Sequence, residues 1–191
     1  MNGQDRVAAV VLAAGESRRF GSPKQLALLD GRTLLEHVLE RARLAGLSPV
    51  VAVVPVWLTR PAAMADAGLR WVRNPHPERG MSHSLRSGFA AIPDDVGAAI
   101  ILLGDQPGVP VEHLQALLRA RGPRPFVATL SRGVVQPPLL VERSHFADVQ
   151  AAAGDIGLRE ILRSHRALVT PIPAARPIPD VDTPEDLPSI R

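Results

Sequence analysis

A glycine-bounded segment that follows the first apolar run carries two cations, and chemistry is expected there first. Residues 12–24 read LAAGESRRFGSPK and contain Arg19 and Lys24. Backbone amides in a turn after a strand can bind an anion, and these two side chains add positive charge. Five residues separate Gly15 from Gly21 and two more precede the lysine, so the spacing matches neither a Walker loop nor the GxGxxG dinucleotide fingerprint. We therefore predict a polyphosphate-binding loop of another kind, with a solvated surface loop as the alternative.

The lysine in this segment is unusual within the chain. Of the 22 Lys and Arg residues, 21 are Arg, and Lys24 is the single Lys. Arg presents a planar fork, whereas Lys presents a compact ammonium that a guanidinium does not imitate well. A Lys at this position, in a chain that uses Arg everywhere else, favours a functional role for Lys24.

Two carboxylates from distant parts of the chain are candidate metal ligands. Asp105 closely follows Ala98–Leu103, the most apolar run, and desolvating it is costly unless it meets a cation such as a divalent metal or an Arg. The alternative is an ordinary turn or helix-cap residue. Asp182 lies just before Thr183 and Asp186, whose spacing is that of a helix start and leaves Asp182 free. Two carboxylates that meet at one metal are what a magnesium–nucleotide site needs.

Length and composition indicate one globular domain. The chain has 191 residues, 46% hydrophobic and 21% charged, so we expect a single domain over residues 1–191 and exclude disordered, collagen-like and solenoid proteins. The absence of Cys removes disulfides, iron–sulfur clusters and thiol nucleophiles, and it agrees with a cytoplasmic location. The six histidines show no zinc-ligand spacing, and only His83 is considered near a site, with an exposed helix position as the commoner interpretation.

Neither a membrane nor a nucleic acid is expected as a partner. The apolar run Val7–Ala14 is much shorter than the roughly 20 residues that span a bilayer. The net charge is +3 and the sequence pI about 10.8, but Arg residues are spread along the whole chain and aromatic residues make up 3%. Binders of single-stranded nucleic acid combine a basic stripe with stacking aromatic side chains, and this chain has no such pattern.

Alternating strand and helix patterns place the candidate residues in an α/β fold. Apolar runs predict strands at 6–14, 49–54, 69–72, 98–103, 126–130, 139–141 and 168–172, with a proline-interrupted turn before residue 139. Helical spacing predicts helices after the capping box at Thr33, at 62–67, from Ser82 with a Ser as cap, and at 111–120, 146–152 and 158–165. This alternation indicates a mostly parallel sheet with helices on both faces. Ligands bind beyond the carboxyl ends of such strands, so segments 15–24 and 104–108 should face one crevice.

Five motifs occur in order along the chain. They are LAAGxSxRFGxxK from Leu12, NP at Asn74 with GMxxSL from Gly80, GDQP from Gly104, GDxG from Gly154, and DxDTPxD from Asp180. Together they resemble the MobA-like nucleotidyltransferases, most closely the molybdenum cofactor cytidylyltransferases, and the similarity covers nearly the whole chain. The resemblance implies a Rossmann-like nucleotidyltransferase fold and transfer of a nucleoside monophosphate from a nucleoside triphosphate (NTP) to a phosphate acceptor, with release of pyrophosphate.

The resemblance also implies roles for individual residues. The nucleotide would be bound by Leu12, Ala13, Ala14, Gly15, Arg19, Lys24, Ser84 and Asp105, with the turn at 13–15 on the base and the two cations on the triphosphate. Catalysis would depend on Arg19, Lys24 and Asp105, and Asp105 and Asp182 would hold Mg²⁺. The Ala-Ala-Gly form resembles the cytidine-using branch, so CTP is the preferred NTP.

The acceptor implied by the resemblance is a molybdopterin-type cofactor, with a molybdoenzyme as a partner that receives the product. Gln136 and Pro137 are expected to meet the acceptor, because relatives often have Gly-His-Pro where this chain has Val135-Gln136-Pro137. A further departure is Phe20, which replaces the usual Met after the arginine.

Three other functions stay open at this point. The same loop and carboxylates would serve a nucleotidyltransferase for a sugar or polyol phosphate. An NAD(P)H-dependent reductase is the second alternative, although the missing dinucleotide fingerprint argues against it. The third is a maturation protein that binds finished cofactor and delivers it without catalysis.

Overall fold

The fold is built around one central sheet. The computed structural model describes residues 5–17, 19–61, 68–151 and 157–190. Within these ranges the strands are β1 (Val7–Leu12), β2 (Leu28–Leu29), β3 (Arg32–Thr33), β4 (Val50–Pro55), β5 (Leu69–Asn74), β6 (Ala98–Leu103), β7 (Phe126–Ser131), β8 (Val134–Glu142) and β9 (Val169–Pro173). Seven of them form a sheet in the order β5-β4-β1-β6-β8-β7-β9, and β2 pairs with β3. Only β8 runs antiparallel to its neighbours in the large sheet, so the prediction of a mostly parallel α/β sheet is confirmed.

Alternate side chains of the central strands enter two separate cores. In β1, Val7, Ala9 and Val11 pack on one face of the sheet, whereas Ala8 and Val10 pack on the other. Side chains of a strand alternate between faces, and a strand covered on both sides is therefore apolar throughout. The continuous apolar runs of the sequence have this origin.

Helices cover both faces, as predicted. They are α1 (Leu34–Leu44), α2 (Met81–Ala90), α3 (Val111–Arg119), α4 (Phe146–Ala151) and α5 (Gly157–Ser164). Helices α1 and α3 pack on one face and α2, α4 and α5 on the other. The capping box at the start of α1 is confirmed, because the Thr33 hydroxyl accepts from the Glu36 amide and the Glu36 side chain accepts from the Thr33 amide. None of the helices in these ranges has both the length and the apolar character needed to cross a bilayer.

Two local predictions are wrong, and one lies outside the described residues. Helix α2 starts after Gly80, which has no side-chain cap, and Ser82 is buried inside the helix. Strand β8 includes Pro137 and Pro138, for which the sequence predicted a turn. The register against β7 pairs Thr129 with Gln136 and Ala128 with Leu139, so Pro137 and Pro138 fall at a bulge where no ladder amide is needed. The helix predicted at 62–67 lies outside the described residues.

The topology brings the chemistry-bearing segments to one edge. Strands β1 and β6 are parallel neighbours, with Leu12 opposite Leu103. The segments that follow them therefore leave the sheet side by side, as the sequence predicted. The C-terminal segment returns to the same edge, where the Val181 amide donates to the Asp105 carbonyl over 2.8 Å. This bond brings Asp182 next to Asp105.

Candidate active site

A cavity of about 480 Å³ opens at the carboxyl edge of β1 and β6. Its lining includes every residue for which the family resemblance implied nucleotide binding, namely Leu12, Ala13, Ala14, Gly15, Arg19, Lys24, Ser84 and Asp105, together with Asp182. Residues that are far apart in sequence are thus gathered in one place. The gathering is a finding of the structure, and the binding of a nucleotide there stays a prediction.

The Lys24 ammonium lies at the centre of the charged part of the cavity. Three oxygen atoms surround Nζ: Asp105 Oδ2 at 2.6 Å, the Val181 carbonyl at 3.2 Å and Asp182 Oδ1 at 3.5 Å. Nζ donates hydrogen bonds to the first two of these oxygens and forms an ion pair with the Asp182 carboxylate. The Lys24 side chain is 17% exposed, which strengthens its attraction to the carboxylates relative to a surface pair.

Arg19 forms the outer part of the same charge cluster. Its guanidinium makes a two-pronged contact with Asp182, with nitrogen–oxygen distances of 2.9 and 3.0 Å. At 74% exposure the Arg19 side chain is largely in solvent, so this pair contributes little to stability and can be exchanged for another anion at small cost. Lys24 and Arg19 together balance the charges of Asp105 and Asp182.

Asp105 offers an unused buried oxygen. While Oδ2 accepts from Lys24, Oδ1 is buried and has no hydrogen-bond partner among the residues described. A buried carboxylate oxygen without a partner is costly, and a cation would satisfy it. No group of three or more acidic or histidine side chains in the described ranges is arranged to hold a metal. Two carboxylates with the rest of the ligands supplied by phosphate oxygens and water are the typical setting of Mg²⁺, so Asp105 and Asp182 fit such an ion.

Close contact between the ends of β1 and β6 places Asp105 beside the turn at 13–15. The Gly104 amide donates to the Leu12 carbonyl over 2.9 Å. A Cβ atom at Gly104 would lie 2.8 Å from the Ala13 Cβ and 3.1 Å from the Leu12 oxygen. The first distance is shorter than real Cβ contacts and the second is tighter than most of them, and the neighbouring atoms belong to or are fixed by the backbone. A side chain at position 104 would therefore force the ends of β1 and β6 apart.

Gln25 is a site residue that the sequence did not reveal. The side chain is 3% exposed, and Nε2 donates to the carbonyls of Ala13 and Gly15 over 2.8 and 2.7 Å. The Ser17 hydroxyl lies 3.4 Å from Gln25 Oε1 and accepts from the Lys24 amide over 3.2 Å. These bonds tie the turn at 13–17 to the 3₁₀ turn Lys24–Leu26. A single Gln beside the lysine carries no periodicity or motif that would have marked it.

Ser84 occupies a fixed position on the opposite wall. It lies in the second turn of α2, is 7% exposed, and its hydroxyl oxygen accepts from Asn74 Nδ2 over 2.9 Å. Asn74 is fully buried at the end of β5, and its Oδ1 accepts from the His76 amide. Because Asn74 supplies the donor, the Ser84 hydroxyl proton can be given to a ligand in the cavity.

Asp180 is a further carboxylate near Asp105 and Asp182, and sequence analysis gave it no role of its own. Burial raises the pKa of Asp180, and the nearby negative charge of Asp105 adds to this effect. A hydrogen bond from Gln106 Nε2 to Asp180 Oδ1, 2.8 Å long, partly offsets it. Asp180 therefore takes up a proton at a higher pH than an ordinary aspartate does.

Gln136 and Pro137 lie at the same edge of the sheet but outside the cavity lining. They belong to the first part of β8, which runs antiparallel to β6 and therefore begins where β6 ends. Both side chains are half-buried.

His83 also lies outside the cavity lining, and burial lowers its pKa. Asp186 accepts from the amides of Asp182 and Thr183, as expected for the start of the 3₁₀ helix Pro184–Ile190.

Comparison with known proteins identifies the family. The family model of the MobA-like NTP transferase domain matches residues 9–169, which include most of the residues that line the cavity. The chain belongs to this family. Its fold and its general class, a nucleotidyltransferase, are thus those that the resemblance implied.

Relatives of this MobA-like protein differ in how much of their length it covers. Purine catabolism protein PucB of Bacillus subtilis is 31% identical in an alignment of length 195 that covers 95% of this chain and 94% of PucB. Bifunctional protein GlmU of Polaromonas naphthalenivorans is 38% identical in an alignment of length 133 that covers 64% of this chain but 28% of GlmU. The chain therefore spans less than a third of GlmU.

Solved structures agree with the fold over almost the whole chain. Rv0371c of Mycobacterium tuberculosis H37Rv is 27% identical with a TM-score of 0.85, and the alignment covers 97% of both chains. A complex of Rv0371c with manganese is 26% identical with a TM-score of 0.80. Manganese has thus been found in a structural relative of this MobA-like protein.

Proposed function

We propose that the protein moves CMP from CTP to the phosphate of a molybdopterin-type cofactor and releases pyrophosphate, with Mg²⁺ as the metal. The observation that carries this proposal is the meeting of Lys24, Arg19 and two carboxylates with the turn at 13–15 in one cavity. A nucleotide needs both halves of this arrangement, one for its anionic tail and one for its base.

The reaction needs little covalent help from the protein. An oxygen of the acceptor phosphate attacks the α-phosphorus of CTP, the bond to the bridging oxygen breaks, and pyrophosphate leaves with the electron pair. The acceptor phosphate is already an anion at neutral pH, so no general base is required. The protein contributes placement and positive charge where negative charge builds up.

Lys24 and Arg19 would supply that charge by exchanging partners. Ion pairs with carboxylates keep both side chains at the cavity. A unit charge about 4 Å from a phosphate oxygen contributes roughly 4 kcal/mol at an effective dielectric constant near 20, before desolvation. The triphosphate can therefore compete with Asp182 for Arg19 at the exposed end, and with the carboxylates for Lys24 further in.

Asp105 and Asp182 would hold the metal. When bound, Mg²⁺ neutralises charge on the phosphates and on the departing pyrophosphate. The unpartnered Oδ1 of Asp105 supports this assignment, and so does the convergence of both carboxylates on Lys24.

CTP and the molybdopterin acceptor rest on the family resemblance of the turn and of the motifs. The Ala-Ala-Gly form of residues 13–15 supports CTP, and Gln136 and Pro137 would contact the acceptor from the adjoining strand. PucB is named for purine catabolism, so a purine-degrading molybdoenzyme is the receiving partner to test first. We expect the reaction to take place in the cytoplasm.

The proposal is tested by incubating the purified protein with Mg²⁺, each of the four NTPs and a panel of phosphorylated acceptors, while pyrophosphate release is followed. We expect release with CTP and molybdopterin together and none when either is omitted. Release only with a sugar or polyol phosphate would move the activity to that acceptor. NADH consumption without pyrophosphate, or retention of finished cofactor without turnover, would overturn the proposal.

A further inference from the structure

The Gln25 side-chain amide donates hydrogen bonds to two carbonyl groups of the turn at 13–15, which lines the proposed nucleotide site. Both Nε2 protons are used, one on the Ala13 oxygen at 2.8 Å and one on the Gly15 oxygen at 2.7 Å. The side chain is 3% exposed, so water does not compete for these bonds. Each of these two carbonyls therefore already accepts one hydrogen bond, which weakens it as an acceptor for a ligand.

Among the amides of the same turn, that of Ala13 donates to the Val53 carbonyl over 2.8 Å, whereas those of Ala14 and Gly15 differ from it. No partner for the amides of Ala14 and Gly15 is found within the part of the chain that the structure describes. Unpaired amides next to engaged carbonyls make the turn a better donor than acceptor. A base bound at this turn should therefore offer acceptors to the amides of Ala14 and Gly15.

Gln25 also joins the turn to the phosphate-binding end of the cavity. Ser17, which has a left-handed backbone with φ of 55°, bridges Gln25 Oε1 and the Lys24 amide. The Lys24 ammonium extends from the neighbouring residue to Asp105. A movement of Gln25 would thus displace the turn relative to Lys24.

We infer that Gln25 is a positioning residue that sets base selectivity by making the turn 13–15 favour a base rich in acceptors; this inference rests on the proposed function. Cytosine offers two acceptors, N3 and O2, and one donor group, whereas guanine offers two donor groups and one acceptor on the corresponding edge. Occupied carbonyls disfavour guanine, and free amides favour cytosine. Loss of the Gln25 amide frees both carbonyls for the donors of guanine.

Gln25→Leu tests this directly, with Gln106→Leu as the matched control. Both glutamines are 3% exposed, but the Gln106 amide donates to Asp180 instead of the turn. We expect Gln25→Leu to lower the ratio of kcat/KM for CTP to that for GTP by about tenfold, mainly through a higher KM for CTP. This is the effect expected when one buried hydrogen bond is lost or gained. Gln106→Leu should leave the ratio unchanged. Equal losses with both nucleotides in Gln25→Leu would show a merely structural role and overturn the inference.

Gln25→Glu and Ser17→Ala give further readouts that do not depend on the stability of the leucine variant. A carboxylate cannot donate to the two carbonyls, whereas its protonated form can donate once, so CTP binding by Gln25→Glu should strengthen from about pH 8 to about pH 5.5 relative to wild type. Ser17→Ala loosens Gln25 without removing its carbonyl contacts and should shift the nucleotide ratio in the same direction by less. A flat pH profile for Gln25→Glu would contradict the inference.

Equilibrium binding of CTP and GTP separates this inference from the proposed function. If wild type binds CTP but transfers nothing to molybdopterin, the proposed reaction fails, and the binding ratio in Gln25→Leu still decides the role of Gln25. Binding of neither nucleotide by wild type would contradict both.

Discussion

The ammonium of Lys24 and the carboxylate of Asp105 are 2.6 Å apart, although 81 positions separate them in the chain. The family resemblance implied different targets for these two residues, the triphosphate for Lys24 and a metal for Asp105. In the structure each is the partner of the other, and Asp182 completes the cluster at 3.5 Å from the ammonium. The ammonium thus stands between the two carboxylates that a metal would use.

Replacing Lys24 with Met should separate its two roles. We expect kcat/KM for CTP to fall by about a hundredfold or more, because a positioned cation is lost. Mn²⁺ binding without nucleotide should become tighter than in wild type, since the carboxylates no longer have the ammonium as counterion. Titration with Mn²⁺, followed by calorimetry or electron paramagnetic resonance, measures the second effect. The double variant with Asp105→Asn should lose the gain, and unchanged Mn²⁺ affinity in Lys24→Met would contradict a shared position.

Gly104→Ala should damage both stability and activity. The added Cβ would lie 2.8 Å from the Ala13 Cβ and 3.1 Å from the Leu12 oxygen, so the ends of β1 and β6 must separate. We expect a loss of about 1–3 kcal/mol in the free energy of unfolding, measured with urea, together with a higher KM for CTP. Gly122→Ala is the control, because its nearest contact would be 3.9 Å away. Equal stability of the two variants would show that the strand ends are not in close contact.

His113 should make the stability of the protein depend on pH. Burial lowers the pKa of His113 from the ordinary value of 6.5, and its Nε2 lies 2.9 Å from the Thr129 hydroxyl. The folded state prefers the neutral ring, so the stability contributed by His113 is fully present above pH 6.5 and is lost as pH falls from there towards the pKa in the folded state. His113→Gln keeps a donor for Thr129 and should remove this part of the pH dependence. Urea unfolding between about pH 5 and pH 8 checks it, and parallel curves for the two proteins would exclude the effect.

Gln136→Ala should affect the acceptor and spare the nucleotide. Gln136 lies at the start of β8, beside the cavity but outside its lining. We expect KM for molybdopterin to rise by about tenfold, as for the loss of one polar contact, while KM for CTP stays the same. Steady-state kinetics with each substrate varied in turn gives both values. A rise in KM for CTP alone would show that Gln136 contacts the nucleotide and not the acceptor, which contradicts this prediction.

The sequence allowed the sheet and its active edge to be predicted because both depend on local patterns. Runs such as Val7–Leu12 and Ala98–Leu103 are apolar throughout only when both faces of a strand are covered. Since parallel strands end at one edge, the charged residues that follow these two runs were expected to meet. They do meet, at Lys24 and Asp105.

Contacts between residues that are far apart in the chain could not be predicted from the sequence. Pro137 and Pro138 argued against a strand, because their tolerance depends on a bulge opposite Ala128 and Thr129 that only the pairing of β7 with β8 creates. Gln25 could not be recognised either, since its significance comes from two backbone carbonyls 10 and 12 residues away. Side-chain contacts of this kind leave no periodicity along the chain.

The central claim is that Lys24 and Arg19 receive the anionic tail of CTP while the turn at 13–15 holds its base. A crystal structure of the protein with CTP and Mn²⁺ measures this most directly. The account predicts phosphate oxygens within hydrogen-bond distance of Lys24 Nζ and the Arg19 guanidinium, the metal on Asp105 and Asp182, and cytosine against Ala14 and Gly15. CTP found at another surface, with Lys24 still bound to Asp105, would contradict it.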